Sequence, residues 1–156
     1  MCRLKIKRSV YSQLIFLLSK FDEPQFFTEP TYEKIPFYDQ VISHPMCFAK
    51  MREFAESGDY DDEPFKKTEA HFQLIVKNAL EFNMPKDQAH FFAKILKVVG
   101  EMFLERFKDC FMPNIKDLLT GSIFETIKNL RREFYRFLYD TFPEYLINYK
   151  WRKSYI

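Results

Sequence analysis

A chain of 156 residues with 47% hydrophobic content has the size of one domain and enough apolar surface for one core. Three glycines against 19% aromatic residues argue against disorder and against the Gly-rich turns of an all-β chain, which leaves a compact, mostly helical protein. A net charge of +2 is far from the basicity of a dedicated nucleic-acid binder, yet the charges segregate. Residues 1–20 carry Arg3, Lys5, Lys7, Arg8 and Lys20 and no acid, whereas residues 21–70 carry twelve acids against five bases. A face built from that second segment suits a basic partner, and an ordinary solvated surface accounts for it equally well. Cys2, Cys47 and Cys110 are odd in number and irregular in spacing, the apolar run Leu14–Leu18 is too short for a secretory leader, and nothing approaches the roughly 20 apolar residues of a membrane span. The expectation is a soluble protein of a reducing, intracellular compartment.

The first predicted helix covers Ser9 to Phe21, where Val10, Leu14, Leu17, Leu18 and Phe21 form an amphipathic stripe. Pro24, Pro30, Pro36 and Pro45 then punctuate about 25 residues without regular structure, since each proline removes a donor and restricts its predecessor. A loop of that length is usually functional or disordered, and Phe26, Phe27, Tyr32, Ile35, Phe37, Tyr38, Val41 and Ile42 make it too apolar for disorder. A second helix fits Cys47–Ser57, stopped by Gly58. A third starts near Asp61–Pro64 and runs to Phe82 with Phe65, Phe72, Ile75, Val76, Ala79 and Leu80 inward, ending before Pro85. Asp87 caps a fourth, whose inward face reads Ala89, Phe92, Ala93, Leu96, Val99, Phe103 and Phe107. Beyond Pro113 come a short helical piece, Gly121 as a stop, and the capping box Ser122-Ile-Phe-Glu125 opening a helix with Ile127, Leu130, Phe134 and Leu138 on one face and Pro143 at its end.

Two motifs carry a family resemblance. The third helix ends Asn78-Ala79-Leu80-Glu81-Phe82-Asn83, which is similar to the Asn-Ala-x-x-Tyr-Asn pattern of bromodomains with Phe82 in the tyrosine position. Upstream, Pro36-Phe37-Tyr38-Asp39-Gln40-Val41-Ile42-Ser43-His44-Pro45-Met46 resembles the family's Pro-Asp-Tyr-Tyr-x-x-Ile-x-x-Pro-Met. The resemblance covers roughly Ser9 to Phe107. It implies an all-α, left-handed four-helix bundle over residues 1–107, with a long loop between the first and second helices and a helical extension over 108–156. It also implies an acetyl-lysine reader: Asn83 donates to the acetyl oxygen, Tyr38 holds a bridging water, Phe27, Thr31 and Ile35 line the loop side of the slot, and Phe82 and Ala89 line the other.

That chemistry is coherent, because acetyl-lysine is a neutral amide on an apolar stem and suits a dry slot with one donor. An unmodified ammonium would lose its water there and meet a donor where it needs acceptors, at a cost of several kcal/mol. Departures from the family are Gln25-Phe26-Phe27 for its Trp-Pro-Phe shelf, Thr31 for valine, Asp39 for a second tyrosine, and the small Ala89 at the gatekeeper position, which widens the mouth. The implied partner is an acetylated histone tail or another acetylated protein, read in the nucleus in the regulation of transcription. A degenerate bromodomain that scaffolds another protein without binding acetyl-lysine stays open as the alternative.

His44 and Cys47 have metal-like spacing without a second pair, and no phosphate loop, nucleophile elbow or carboxylate pair stands out, so neither metal, cofactor nor enzymatic activity is expected. His44 and Cys47 read as structural, and His71 and His90, on helices among aromatics, as satisfied or exposed histidines and not catalytic ones. From Ser122 onward, seven bases face four acids with Tyr135, Tyr139, Tyr149 and Trp151 interleaved. This suits a solvated helix packed on the bundle, or contact with a protein or with nucleic acid.

Overall fold

Helices form where the apolar stripes repeat every three or four residues, and Gly58 and Pro64 bound two of them directly. The computed structural model describes residues 2–111 and 123–141 and contains no strand among them. In chain order the helices are α1 (Cys2–Ser19), α2 (Tyr38–Val41), α3 (Phe48–Ser57), α4 (Pro64–Phe82), α5 (Gln88–Phe111) and α6 (Ile123–Thr141), with a 3₁₀ turn at Thr31–Lys34. The piece after Pro113, Gly121, Ser122, Pro143 and the aromatic tail from Tyr145 lie outside the described residues, as do the side chains of Ile127 and Leu138.

The order of long helices is the predicted one, with several corrections. Helix α1 begins seven residues earlier than the stripe from Ser9, because the basic residues before it are good helix formers. It stops at Ser19, two residues short of Phe21. The long loop is not without regular structure. Between its prolines the chain closes the 3₁₀ turn and the single turn of α2, satisfying backbone groups locally (Ile42 N–H to Tyr38 O, 2.8 Å). Cys47 lies outside its helix, as the extended N-cap of α3. Asp87 precedes α5, but its carboxylate accepts from the Met84 amide (3.0 Å) and so closes the α4–α5 loop instead of capping the helix.

Helix α1 lies at the centre. Val10, Tyr11, Leu14, Ile15, Leu17 and Leu18 are all buried, and α1 packs on α3, α4 and α6, while α5 packs on α4 and α6. Each such large side chain contributes about 1.5–3 kcal/mol by leaving water. Phe21 continues that face and meets Phe134 (5.3 Å between ring centroids) and Phe137 (6.3 Å), and Phe103 meets Phe134 edge-on at 5.2 Å. Those rings join α6 to the same core as α1 and α5. Phe92, read from its spacing as core, is only half-buried and packs edge-on against Phe26 at 6.0 Å. At the end of α3, Gly58 takes φ +98 and returns its amide to Phe54 O, the left-handed cap a helix end favours.

His71 is held structurally. Its Nδ1 lies 2.5 Å from the buried Tyr60 hydroxyl, and both rings pack on Phe54. Burial, reinforced by Lys50 and Lys67, lowers the affinity of this imidazole for a proton. The native fold therefore favours neutral His71, which accepts from Tyr60. Its contribution is complete above the unfolded pKa of about 6.5 and is lost as pH falls toward the lower folded value. Urea midpoints measured from pH 7.5 to pH 5 should decline more steeply for the native protein than for His71→Phe. Parallel profiles would remove His71 as the cause.

Candidate ligand-binding site

The site is built by the first loop and by the end of α4. At the start of the loop, the Asp22 carboxylate accepts from the amides of Phe26 (3.0 Å) and Phe27 (2.8 Å) and from the Thr28 hydroxyl (2.8 Å), so the chain turns back sharply after α1. Burial pushes the Asp22 pKa up, while those three donors act in the opposite direction. The end of the loop is tied to α4 by buried Asn78, whose Nδ2 donates to His44 O at 2.8 Å. Both ends are thus held by hydrogen bonds to buried side chains, a costly arrangement to break.

Between these anchors lies a cavity of about 100 Å³. All seven residues that the family resemblance singles out line it: Phe27, Thr31, Ile35 and Tyr38 from the loop, Phe82 and Asn83 from the end of α4, and Ala89 from the first turn of α5. Five further residues complete the wall: Phe26, Tyr32, Met46, Ile75 and Ala79. Ile75, Ala79 and Asn83 recur every fourth residue along one face of α4, so helical spacing was sufficient to find the first two. Tyr32 had no such signal, because its direction depends on the 3₁₀ turn. Its ring stacks on Tyr38 (5.4 Å, 18°), and Tyr38 packs in turn on Phe82 (4.7 Å).

Asn83 is the C-cap of α4, with extended backbone (φ −87, ψ 142). One hydrogen of its side-chain amide goes to Ala79 O at 3.0 Å, which leaves the second for a ligand. Its backbone carbonyl accepts from Nδ1 of buried His90 at 3.0 Å, fixing the residue from the α5 side. His90 is therefore part of the frame of the site. Burial, and secondarily Glu81, raises the Tyr38 phenol above its usual pKa, so the hydroxyl stays neutral and can both donate and accept.

A larger cavity of about 370 Å³ lies between the end of α1 and the start of α3. Its lining includes Lys20, Glu23, Glu29 and Arg52, with Lys20 and Arg52 both over the Phe16 ring. Charged walls of both signs stay hydrated, so it does not suit a neutral guest. The smaller recess does: apolar and aromatic walls with an amide donor at the edge fit a slender neutral group bearing one acceptor.

A helical module in which the first loop and the end of α4 frame such a recess has an architecture suited to binding a small neutral group. Family comparison agrees, for the bromodomain model matches residues 7–95, and the chain belongs to the bromodomain family, whose members generally read acetyl-lysine. Among similar proteins are bromodomain-containing protein 7 of Homo sapiens and of Mus musculus, each 31% identical over 96 residues, covering 61% of this chain and 14% of the relative. Bromodomain-containing protein 9 of Danio rerio is 32% identical over 85 residues, 54% of this chain and 13% of the relative. The chain thus aligns with only about 14% of the length of these curated relatives. Among the described residues, no group of His, Cys, Asp or Glu is arranged to hold a metal, and no helix is long and apolar enough to cross a membrane. His44 is exposed, with its Nδ1 beside the Ser43 hydroxyl at 3.1 Å, while Cys47 is buried.

Proposed function

We propose that this chain reads acetyl-lysine in the recess framed by Asn83 and Tyr38, and that its target is an acetylated histone tail or another acetylated protein in the nucleus, within transcription regulation. The observation that carries the reading is the convergence of the seven residues implied by the family resemblance, from three separate segments, on one small apolar cavity. In this reading the free Asn83 amide hydrogen donates to the acetyl oxygen, and Tyr38 makes a second, water-mediated bond. Phe27, Thr31, Ile35, Phe82 and Ala89 exclude water from the stem. The recess selects acetylated over unmodified lysine because no wall residue is a carboxylate that would compensate a buried ammonium. Residues 1–107 act as the reading module and 108–156 as an extension available to a protein or nucleic-acid partner.

One observation favours a second reading. The Asn83 side chain already bonds its own helix through Ala79 O, as a purely structural cap would. On that account the chain is a scaffold that retains the fold without the ligand. Titration of the full chain with acetylated and unmodified histone-tail peptides, followed by amide NMR, separates the two. Shifts confined to the acetylated peptides and centred on Asn83 and Tyr38, with affinity in about the micromolar range, are the expected outcome. Silence at millimolar peptide would leave the scaffold.

A further inference from the structure

Large apolar side chains rarely stand in water in groups unless they meet a partner. Among the described residues seven do so, and five of them belong to the segments that frame the recess: Ile35, Phe37 and Val41 in the first loop, Met84 and Phe91 beside the second. Phe37 is 69% exposed and Met84 59%. The two sides connect through the cavity, since Ile35 and Tyr38 flank Phe37 in sequence and line it, and Asn83, also in the wall, precedes Met84. Phe91 joins through ring contacts, Phe91 to Phe92 at 5.5 Å and Phe92 to Phe26 at 6.0 Å.

Phe37 carries a second signal. Its backbone is left-handed (φ 64), a region that disfavours a bulky L side chain and is natural to glycine. Strain of this kind persists where the surrounding fold imposes it and is concentrated at ligand clamps. Here the strained residue presents an aromatic ring to water beside the recess, where glycine would hold the turn with less strain.

From the exposed apolar rim and the strained Phe37 we propose that the partner peptide carries a large apolar residue next to its acetyl-lysine, seated against Phe37 and Ile35. The inference rests on the acetyl-lysine reading and narrows it. Acidic Glu33 and Asp39 also lie on the first loop and are exposed, so a basic flank is the competing chemistry.

Three acetyl-lysine peptides of equal length, flanked on both sides by Leu, Ser or Lys, are titrated calorimetrically into the full native chain and into Phe37→Gly. The Leu-flanked peptide should bind the native chain at least about fivefold tighter than the Ser-flanked one, because half-burying an apolar side chain on the rim supplies that much. Phe37→Gly should narrow that ratio to within about twofold. The same variant should melt higher than the native chain, since strain is relieved, which rules out misfolding as the reason for the narrowed ratio. Equal binding of the Leu and Ser peptides, or tighter binding of the Lys peptide, overturns the apolar-flank inference while the acetyl-lysine reading stands. Failure of all three peptides overturns that reading and this inference with it.

Discussion

Asn83→Ala is expected to weaken binding of an acetylated peptide about 10- to 100-fold while leaving the fold in place. The loss is that large because the acetyl oxygen would enter an apolar recess and find no donor, so it pays desolvation without compensation. Stability should change little. The side chain is half-buried at a helix end and its bond to Ala79 O is one of two that reach that carbonyl, the other coming from the Asn83 backbone amide at 3.1 Å. The anchor from His90 to the Asn83 backbone carbonyl does not involve the side chain and survives the substitution. Asn83→Asp is the sharper control, since it keeps the shape and replaces the donor with an acceptor that repels the acetyl oxygen. Calorimetric titration of both variants beside a thermal melt distinguishes the outcomes. Unfolding of Asn83→Ala would make the residue structural, and unchanged affinity would place the donor elsewhere.

Gly100→Ala should be strongly destabilising, although it removes a glycine from the middle of a helix. Propensity alone predicts a gain of about 1 kcal/mol. Against it, a methyl group on Gly100 would lie 2.2 Å from Cζ and 2.6 Å from Cε1 of Phe72. Phe72 is fully buried, in the core beside Phe48, so its ring has no free space to turn into. Overpacking of this kind costs about 1–3 kcal/mol or more, which outweighs the propensity gain. A fall in melting temperature of several degrees is expected, at about 2–4 °C per kcal/mol for a chain of this size. Combining Gly100→Ala with Phe72→Leu should recover part of the loss, because the smaller side chain yields the space. A Gly100→Ala protein as stable as the native one would mean that α4 and α5 separate at little cost.

The second effect depends on how closely two packed helices approach, and this marks how far the amino-acid order can be read. The stripes of α3, α4 and α5 predict those helices to within a few residues, because burial of one face dominates local preference. Asn78, Phe82 and Asn83 at the end of α4, and Pro36 to Met46 in the loop, were legible only through their resemblance to the two family motifs. Phe92 was misread because spacing identifies a face without saying which part of it the loop covers. Tyr32 escaped because no periodicity governs a chain broken by prolines.

What the sequence by itself determined is the set of long helices and the family, which follow from short-range spacing and from motifs a few residues long, and, through the family resemblance, seven of the twelve residues that line the recess. Tertiary structure alone decided the rest. The stacking of Tyr32 on Tyr38 and the left-handed turn at Phe37 depend on how a proline-interrupted loop is pinned at Asp22 and at His44 O. The need for glycine at position 100 depends on where a ring from another helix arrives. Local patterns encode which face of an element leaves water, whereas the distance between two elements is a property of the packed core and is written in no single segment.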